Sequence, residues 1–167
     1  LRKKGIKTQE TKMGIRDTSS GRMGIYTDFD GGVATMVELQ CESAPVARHE
    51  EFIALANDLA KQLATGPGAE TPDALLDQPS PSIEGSTLRQ QKDDLYNRIR
   101  EVFNLSRILR IDGSCGGYAH HSGVTKGVLL QVEGGNCESA KDICMHIAAM
   151  NPGAVRKEDL DPGLGEK

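Results

Sequence analysis

The clearest hydrophobic pattern in the chain lies between residues 127 and 152, where it predicts a strand, a turn and a helix. A run of strand-forming side chains at residues 128–132 ends at the pair Gly134–Gly135, which favours a turn. Asn136 is a suitable helix N-cap, and Asn151–Pro152–Gly153 ends the helix. Between these signals the apolar residues recur at helical spacing and form one stripe: Ala140, Ile143, Cys144, Ile147 and Ala148.

The same unit occurs once more, nearer the start of the chain. Its apolar stripe has the same spacing and consists of Ala56, Leu59, Ala60, Leu63 and Ala64. The strand segments that precede the helices also correspond: residues 24–26 to 116–118, and residues 36–39 to 129–132. An insertion at residues 44–52 lengthens the first copy. We interpret the pattern as an internal duplication, since a solenoid would need about three stacked units.

The two copies predict an α+β fold with two related subdomains, each an antiparallel sheet with helices packed on one side. Helices are expected at residues 52–64 and 137–150, and they should cover equivalent faces of the two sheets. Four side chains of the stripes are expected to be buried: Leu59, Leu63, Ile143 and Ile147.

The rest of the first copy is predicted from its turn signals. Residues 24–40 form a hairpin around Asp30–Gly31–Gly32, which tolerate the backbone of a tight turn. Residues 41–48 are expected to be a turn that leads into the helix. The proline-containing residues 66–86 read as an irregular surface connection with one helical turn at residues 73–76.

A further helix and strand are predicted before the second copy. Thr87 and Gln90 have the spacing of a capping box at a helix N-terminus. One face of this helix carries Leu88, Leu95, Ile99 and Val102, and the helix should end near residue 104. A strand at residues 105–111 follows.

These elements divide the chain into three parts: a leader at residues 1–22, a first subdomain at 23–112 and a second at 113–167 that ends in a polar, frayed tail. The leader carries seven Lys and Arg residues against two acidic ones. A solvated linker is the simpler interpretation, and a contact with RNA or the ribosome is the alternative. The chain opens on Leu, and we interpret it as a piece of a longer protein.

Composition narrows the class of protein. With 167 residues and 37% hydrophobic side chains, the chain can form a core without disulfides. Its four cysteines lack zinc-ligand spacing, and no segment is apolar enough to span a membrane, so a cytoplasmic protein is expected. A net charge of −4 argues against direct nucleic-acid binding, which needs a basic face.

Candidate chemistry is sparse. His120 and His121 are adjacent on a predicted strand, so their side chains point to opposite faces and cannot chelate one metal ion together. Cys144 is most simply a small buried side chain, and the other three cysteines are expected in turns. The glycine pairs lack the motif context that phosphate binding requires. We therefore expect no catalytic residue, cofactor or metal site.

Six segments, taken in order, resemble the core of the bacterial translation elongation factor Ts family. They are LRKKGI, GIY, MVELQCES, VARHEEFIALANDLAKQLA, RIREVFNLSRILRIDG and KDICMHIAAMNP. The resemblance implies two related subdomains, each an antiparallel sheet with helices on one side. It also implies that the chain is not an enzyme but a guanine-nucleotide exchange factor that promotes GDP release from the GTPase elongation factor Tu. Self-association is left open.

The resemblance also implies where the partner binds. The family usually has Thr-Asp-Phe-Val at the first strand-to-helix turn, where this chain has Ser43–Ala44–Pro45–Val46. A second family contact is an Ile-Gly pair, here Ile99–Arg100, and histidines near two further positions also contact the partner. The predicted partner-binding residues are Ala44, Pro45, Val46, Ile99, Arg100, His120 and His146. Because the aromatic side chain is missing, the alternative is a binding module of the same fold that holds the GTPase or ribosome without exchange.

Overall fold

The computed structural model describes residues 16–122 and 125–153, so most of the predicted leader and the polar tail lie outside the described residues. The strands within this range are β1 Ser20–Asp28, β2 Val33–Cys41, β3 Asn104–Asp112, β4 Cys115–His120 and β5 Lys126–Gln131. The helices are α1 Ala44–Ala47, α2 Glu50–Thr65, α3 Pro72–Leu76, α4 Leu88–Ile99 and α5 Cys137–Met150. The predicted α+β class is confirmed.

The strands form two antiparallel sheets. The first has the order β1–β2–β3, and its hairpin pairs residues 20–28 with residues 33–41. The predicted turn between them is confirmed, with Gly32 at a φ of 70°. The second sheet consists of β4 and β5 alone among the described residues. Each sheet carries one of the two predicted helices, α2 or α5.

The main core lies between the first sheet and α2. The stripe predicted for α2 is confirmed, since Leu59 and Leu63 are fully buried. Phe52 of the same helix packs against Phe103, with ring centroids 5.3 Å apart. The Thr35 hydroxyl of β2 donates a 2.6 Å hydrogen bond to the Ala60 carbonyl, which satisfies a buried polar group at this contact.

The stripe predicted for α5 is only partly buried. Ala140, Cys144 and Ala148 are buried, but the prediction for Ile143 is wrong because its side chain is 48% exposed, and Ile147 is half-buried. The sheet beneath α5 has two strands where that beneath α2 has three. A narrower sheet covers a narrower stripe of helix, so the outer members of the pattern stay in solvent.

A glycine in each hairpin lets the helix approach the strand. Gly24 of β1 lies against Ala56, where an added Cβ would be 2.7 Å from the Ala56 carbonyl carbon. Gly116 of β4 lies against Ala140 in the same way, with an added Cβ 2.6 Å from the Ala140 carbonyl carbon. These are the positions that the sequence repeat places in correspondence, and the two copies therefore share one helix-on-strand contact.

The two sheets pack face to face. Along β1 and β4 alternate residues point to opposite faces, so the neighbours of the two glycines point away from the helices. Gly117 of β4 faces Ile25 and Thr27 of β1, and Gly127 of β5 faces Met23 and Met36. The layers thus follow the order α2, first sheet, second sheet, α5.

Helix α4 begins as predicted and ends earlier. The Thr87 hydroxyl accepts from the Gln90 amide at 3.1 Å and the Gln90 side chain accepts from the Thr87 amide at 3.0 Å, which confirms the capping box. The predicted end near residue 104 is wrong: Arg100 adopts a left-handed conformation with φ 66° and stops the helix at Ile99. Val102 is buried beyond the helix.

The remaining elements agree only in part with the sequence prediction. Residues 41–48 contain the short helix α1 where a turn was expected. The helical turn expected at residues 73–76 is present as α3, and the strand expected at residues 105–111 is present as β3. Strand β1 begins at Ser20, so the last residues of the predicted leader are part of the first sheet.

The close contacts at Gly24 and Gly116 predict that an alanine at either position destabilises the fold. An added methyl meets helix backbone that cannot rotate away, and overpacking of this kind costs about 1–3 kcal/mol. Denaturant unfolding of Gly24→Ala and Gly116→Ala measures the loss, with Ser20→Ala at the half-buried start of β1 as the control. Unfolding midpoints equal to that of the control in both variants would contradict the shared contact.

Candidate functional site

The connection between β2 and α2, residues 42–49, contains α1 and is called the α1 turn. It presents three of the predicted partner-binding residues. Ser43 precedes α1 in an extended conformation, and Pro45 occupies the first turn of the helix, where its missing N–H is no loss. Ala44 and Pro45 are exposed, whereas Val46 is half-buried and packs against the main core. The α1 turn therefore presents a small apolar surface, which Val46 anchors to the main core.

Two glutamates tie this turn to the end of α4. The Glu101 carboxylate accepts from the Ser43 amide at 2.9 Å and from the Ser43 hydroxyl at 2.6 Å. The Glu42 carboxylate accepts from the Val102 amide at 2.7 Å and pairs with Arg16 at 3.2 Å. Hydrogen bonds to charged acceptors are stronger than neutral ones, so the two segments position each other.

The second predicted contact, Ile99–Arg100, lies beside this link. Ile99 is half-buried against the main core, as Val46 is. Arg100 is exposed, donates its amide to the Tyr96 carbonyl at 2.7 Å and accepts at its own carbonyl from Arg16 at 3.4 Å. The structure thus brings residues 44–46 and 99–100 together around the contact between Ser43 and Glu101.

The histidines at the end of β4 have different surroundings. His120 is half-buried, and its Nδ1 lies 3.1 Å from the Tyr118 hydroxyl. The Nε2 of His121 lies 3.3 Å from both the amide nitrogen and the carbonyl oxygen of Met23 on β1. Burial and the nearby charge of Arg22 lower the pKa of His121. His121, absent from the predicted set, therefore contacts the first sheet directly.

A cavity of about 430 Å³ lies between α1, the start of β1 and the segment after β4. Ala44 and Arg48 line it from the α1 side, Arg22 from β1, and His121 and Thr125 from the second subdomain. It connects the α1 turn to the second subdomain.

His146 stands apart from the other predicted residues. It is exposed on α5, and no hydrogen bond or ring contact within residues 16–122 and 125–153 joins it to the other six. The structure brings five of the seven together at the α1 turn and the end of α4, and it places His120 beside a histidine that lines the adjoining cavity. A role for His146 stays a prediction.

Sequence reasoning missed the residues that build this arrangement. Glu42, Glu101, Arg22 and His121 act across separations of 58 to 98 residues or through a cavity, and no local spacing signals such contacts. The adjacency of His120 and His121 was the only available signal. It did not indicate which ring faces the first sheet.

The three buried cysteines are poor nucleophiles in these surroundings. Cys41 and Cys115 lie buried in strands and Cys137 is the first residue of α5, so the expectation that these three lie in turns is wrong. Cys144 is buried in α5. Burial, with the nearby carboxylate of Glu101, raises the pKa of Cys41 to about 11. Burial also raises the pKa values of Cys115 and Cys144.

No group of three or more His, Cys, Asp or Glu side chains in residues 16–122 and 125–153 could hold a metal ion. None of the helices in those ranges is long and apolar enough to cross a bilayer.

The described residues form an α+β fold of two sheet–helix units. The family model "Elongation factor TS" matches residues 42–167. The chain is 38% identical over 158 residues to an elongation factor Ts from Azoarcus sp. (strain BH72), covering 93% of this chain and 52% of that protein. It is 35% identical over 167 residues to an elongation factor Ts from Xylella fastidiosa (strain 9a5c), covering 100% of this chain and 55% of that protein.

The chain therefore belongs to the elongation factor Ts family. An elongation factor Ts from Streptococcus agalactiae serotype V is 34% identical over 166 residues and is covered to 46% of its length. The chain thus spans about half the length of the curated relatives that it matches.

The conformation of Arg100 predicts that Arg100→Gly stabilises the protein. A left-handed backbone costs a residue with a Cβ about 1–2 kcal/mol, and glycine escapes this cost but loses more entropy on folding. We expect a net gain of about 0.5–1 kcal/mol in the free energy of unfolding. Asn151, with φ 47° at the end of α5, is the matched control, because asparagine tolerates this conformation and Asn151→Gly should change little. Equal effects of both changes would contradict the assignment of strain to Arg100.

The surroundings of the cysteines predict one fast-reacting thiol. Cys137 is exposed, whereas a pKa of about 11 leaves Cys41 almost entirely protonated at pH 8. An aromatic disulfide reagent should therefore modify one thiol rapidly and the others only on unfolding. Cys137→Ser should remove the fast phase, and a fast phase that survives this change would show that a buried thiol is accessible.

Proposed function

We propose that the chain acts in translation elongation as a guanine-nucleotide exchange factor for elongation factor Tu. Membership of the elongation factor Ts family supports this proposal most strongly. In this role the protein is not an enzyme: it binds the GTPase and weakens GDP binding, and GDP must weaken its own binding to the same extent. A cytoplasmic location follows from the same proposal.

The proposed contact surface consists of residues 44–46 and 99–100. The carboxylate of Glu101 holds the first segment against the second, and Val46 and Ile99 anchor both in the core. A surface fixed in this way loses little conformational entropy when a partner binds. His120 and His146 extend the proposal to the second subdomain.

The α1 turn determines how strong the exchange activity is. Pro45 is exposed and fills little volume, whereas a phenylalanine buried by a partner contributes about 1.5–3 kcal/mol, or about ten- to a hundredfold in an equilibrium. The exposed Arg100 adds bulk and charge beside it. We propose that the chain exchanges nucleotide on a typical bacterial elongation factor Tu more weakly than relatives with an aromatic residue in this turn.

A binding module without exchange activity is the second candidate. The small side chain of Pro45 and the exposed Arg100 favour it, because an α1 turn without an aromatic side chain can contact the surface of a GTPase without inserting into it. The predicted division of the chain also stays a proposal, with subdomains at residues 23–112 and 113–167. They would meet at Gly113, which lies in the connection between β3 and β4 and has a φ of 146°.

Release of fluorescent GDP from elongation factor Tu tests the proposal and separates the two candidates. The chain should accelerate release at catalytic concentrations, and Pro45→Phe should increase the rate on a typical bacterial partner by about ten- to a hundredfold. Pro45→Ala is the matched control, since it removes the ring constraint without adding an aromatic side chain.

The outcomes separate the two functions. Acceleration by the chain, with a gain in Pro45→Phe only, supports exchange through the α1 turn. Binding to the GTPase without any acceleration, measured by calorimetry, would support the binding module, and absence of both would overturn the proposal. An equal gain in Pro45→Ala would show that stiffness of the turn, and not lost volume, limits the rate.

A further inference from the structure

Arg22 lines the cavity beside α1 from the β1 side. It is half-buried, and its side chain donates a 3.4 Å hydrogen bond to the Ala47 carbonyl. No ion pair within residues 16–122 and 125–153 includes it. A partly buried cation of this kind is favoured by an anion that replaces its lost water.

Among the described residues, Glu38 is the only carboxylate that lines the cavity, and both of its oxygens are already engaged. One oxygen of Glu38 accepts from Arg107 at 2.6 Å, and the other accepts from Gln40 at 3.5 Å. Its charge is therefore balanced by a residue of β3. Arg48, exposed on the opposite wall, adds a second positive charge that faces the cavity.

Neutral donors complete the walls. The Thr125 hydroxyl lies 3.5 Å from the Gly21 carbonyl, a long contact that a better acceptor would displace. The imidazole of His121 lies on the same wall, and burial and Arg22 lower its pKa. At about 430 Å³ the cavity has the size of a ligand pocket and exceeds the space that a single water needs.

We propose that this cavity binds a carboxylate, with Arg22 as the principal donor and an acidic side chain of the partner GTPase as its source. The identity of the source rests on the proposed function, because Ala44 belongs both to the cavity wall and to the proposed contact surface. A partner docked on the α1 turn would close the cavity and exclude water from the ion pair. Arginine suits this role because its guanidinium can bind both carboxylate oxygens.

Nuclear magnetic resonance of the isolated chain tests the cavity without the GTPase. Titration with sodium acetate at constant ionic strength should shift the Arg22 Nε–H and His121 ring signals saturably. Bound acetate should raise the pKa of His121, whose charged or titratable neighbours in the protein are Arg22, Arg48, Glu38 and His120. Arg22→Gln should weaken acetate binding about tenfold or more, whereas Arg98→Gln, an exposed residue paired with Glu51, should not change it.

A second variant keeps the test independent of Arg22. Ala44→Asp places a carboxylate on the exposed rim, where it should occupy the site, raise the pKa of His121 and prevent acetate binding. Thermal unfolding of each variant confirms that it is folded.

The GTPase arm identifies the source of the carboxylate. Calorimetry should show that Arg22→Gln weakens binding of elongation factor Tu about tenfold, and that Arg98→Gln does not. Unsaturable acetate shifts would overturn the cavity site whether or not the chain exchanges nucleotide. Saturable shifts with unchanged GTPase affinity in Arg22→Gln would overturn the partner as the source. Saturable shifts in a wild-type chain that binds no GTPase would reject the proposed function and leave a site for small carboxylates.

Discussion

The close approach of a helix to the backbone of a strand at one glycine in each hairpin is the contact on which the fold depends. Gly24 and Gly116 have no side chain, so Ala56 and Ala140 lie directly on the strands. This contact fixes the depth of each helix, and strand alternation then directs the neighbouring residues of β1 and β4 toward the opposite sheet. One small residue per subdomain thus sets both the helix layer and the packing between the sheets.

The candidate surface is a consequence of this arrangement. The end of β2 leads into α1, and the end of α4 leads into β3. Because Gln40 of β2 pairs with Asn104 of β3, both connections lie at the same end of the strands of the first sheet. Carboxylates from these turns then bind backbone and hydroxyl groups of the other segment, as Glu101 does at Ser43. The cavity forms where the second subdomain, through His121, contacts this end of the first sheet.

Local pattern predicted most helices and strands but missed α1 and the end of α4, and the sequence repeat predicted the two sheet–helix units. Helix α5 has the predicted bounds, and the capping box of α4 is present. Burial was harder to predict, since Ile143 has helical spacing but the two-stranded sheet beneath it is too narrow to cover it. Asp58 illustrates the same limit. It is buried and accepts from Gln91 at 2.9 Å, whereas Asp142, its counterpart in the repeat, is exposed.

The candidate surface depends on which side of each element meets the other subdomain, and a single sequence does not encode that in local spacing. We propose that elongation factor Tu binds at the α1 turn and the end of α4. Hydrogen–deuterium exchange of the chain with and without nucleotide-free elongation factor Tu tests it most directly. Binding should slow exchange at residues 42–49 and 99–103 and at the cavity wall near His121. Protection confined to the outer face of α5 or to β3, with the α1 turn unchanged, would contradict it.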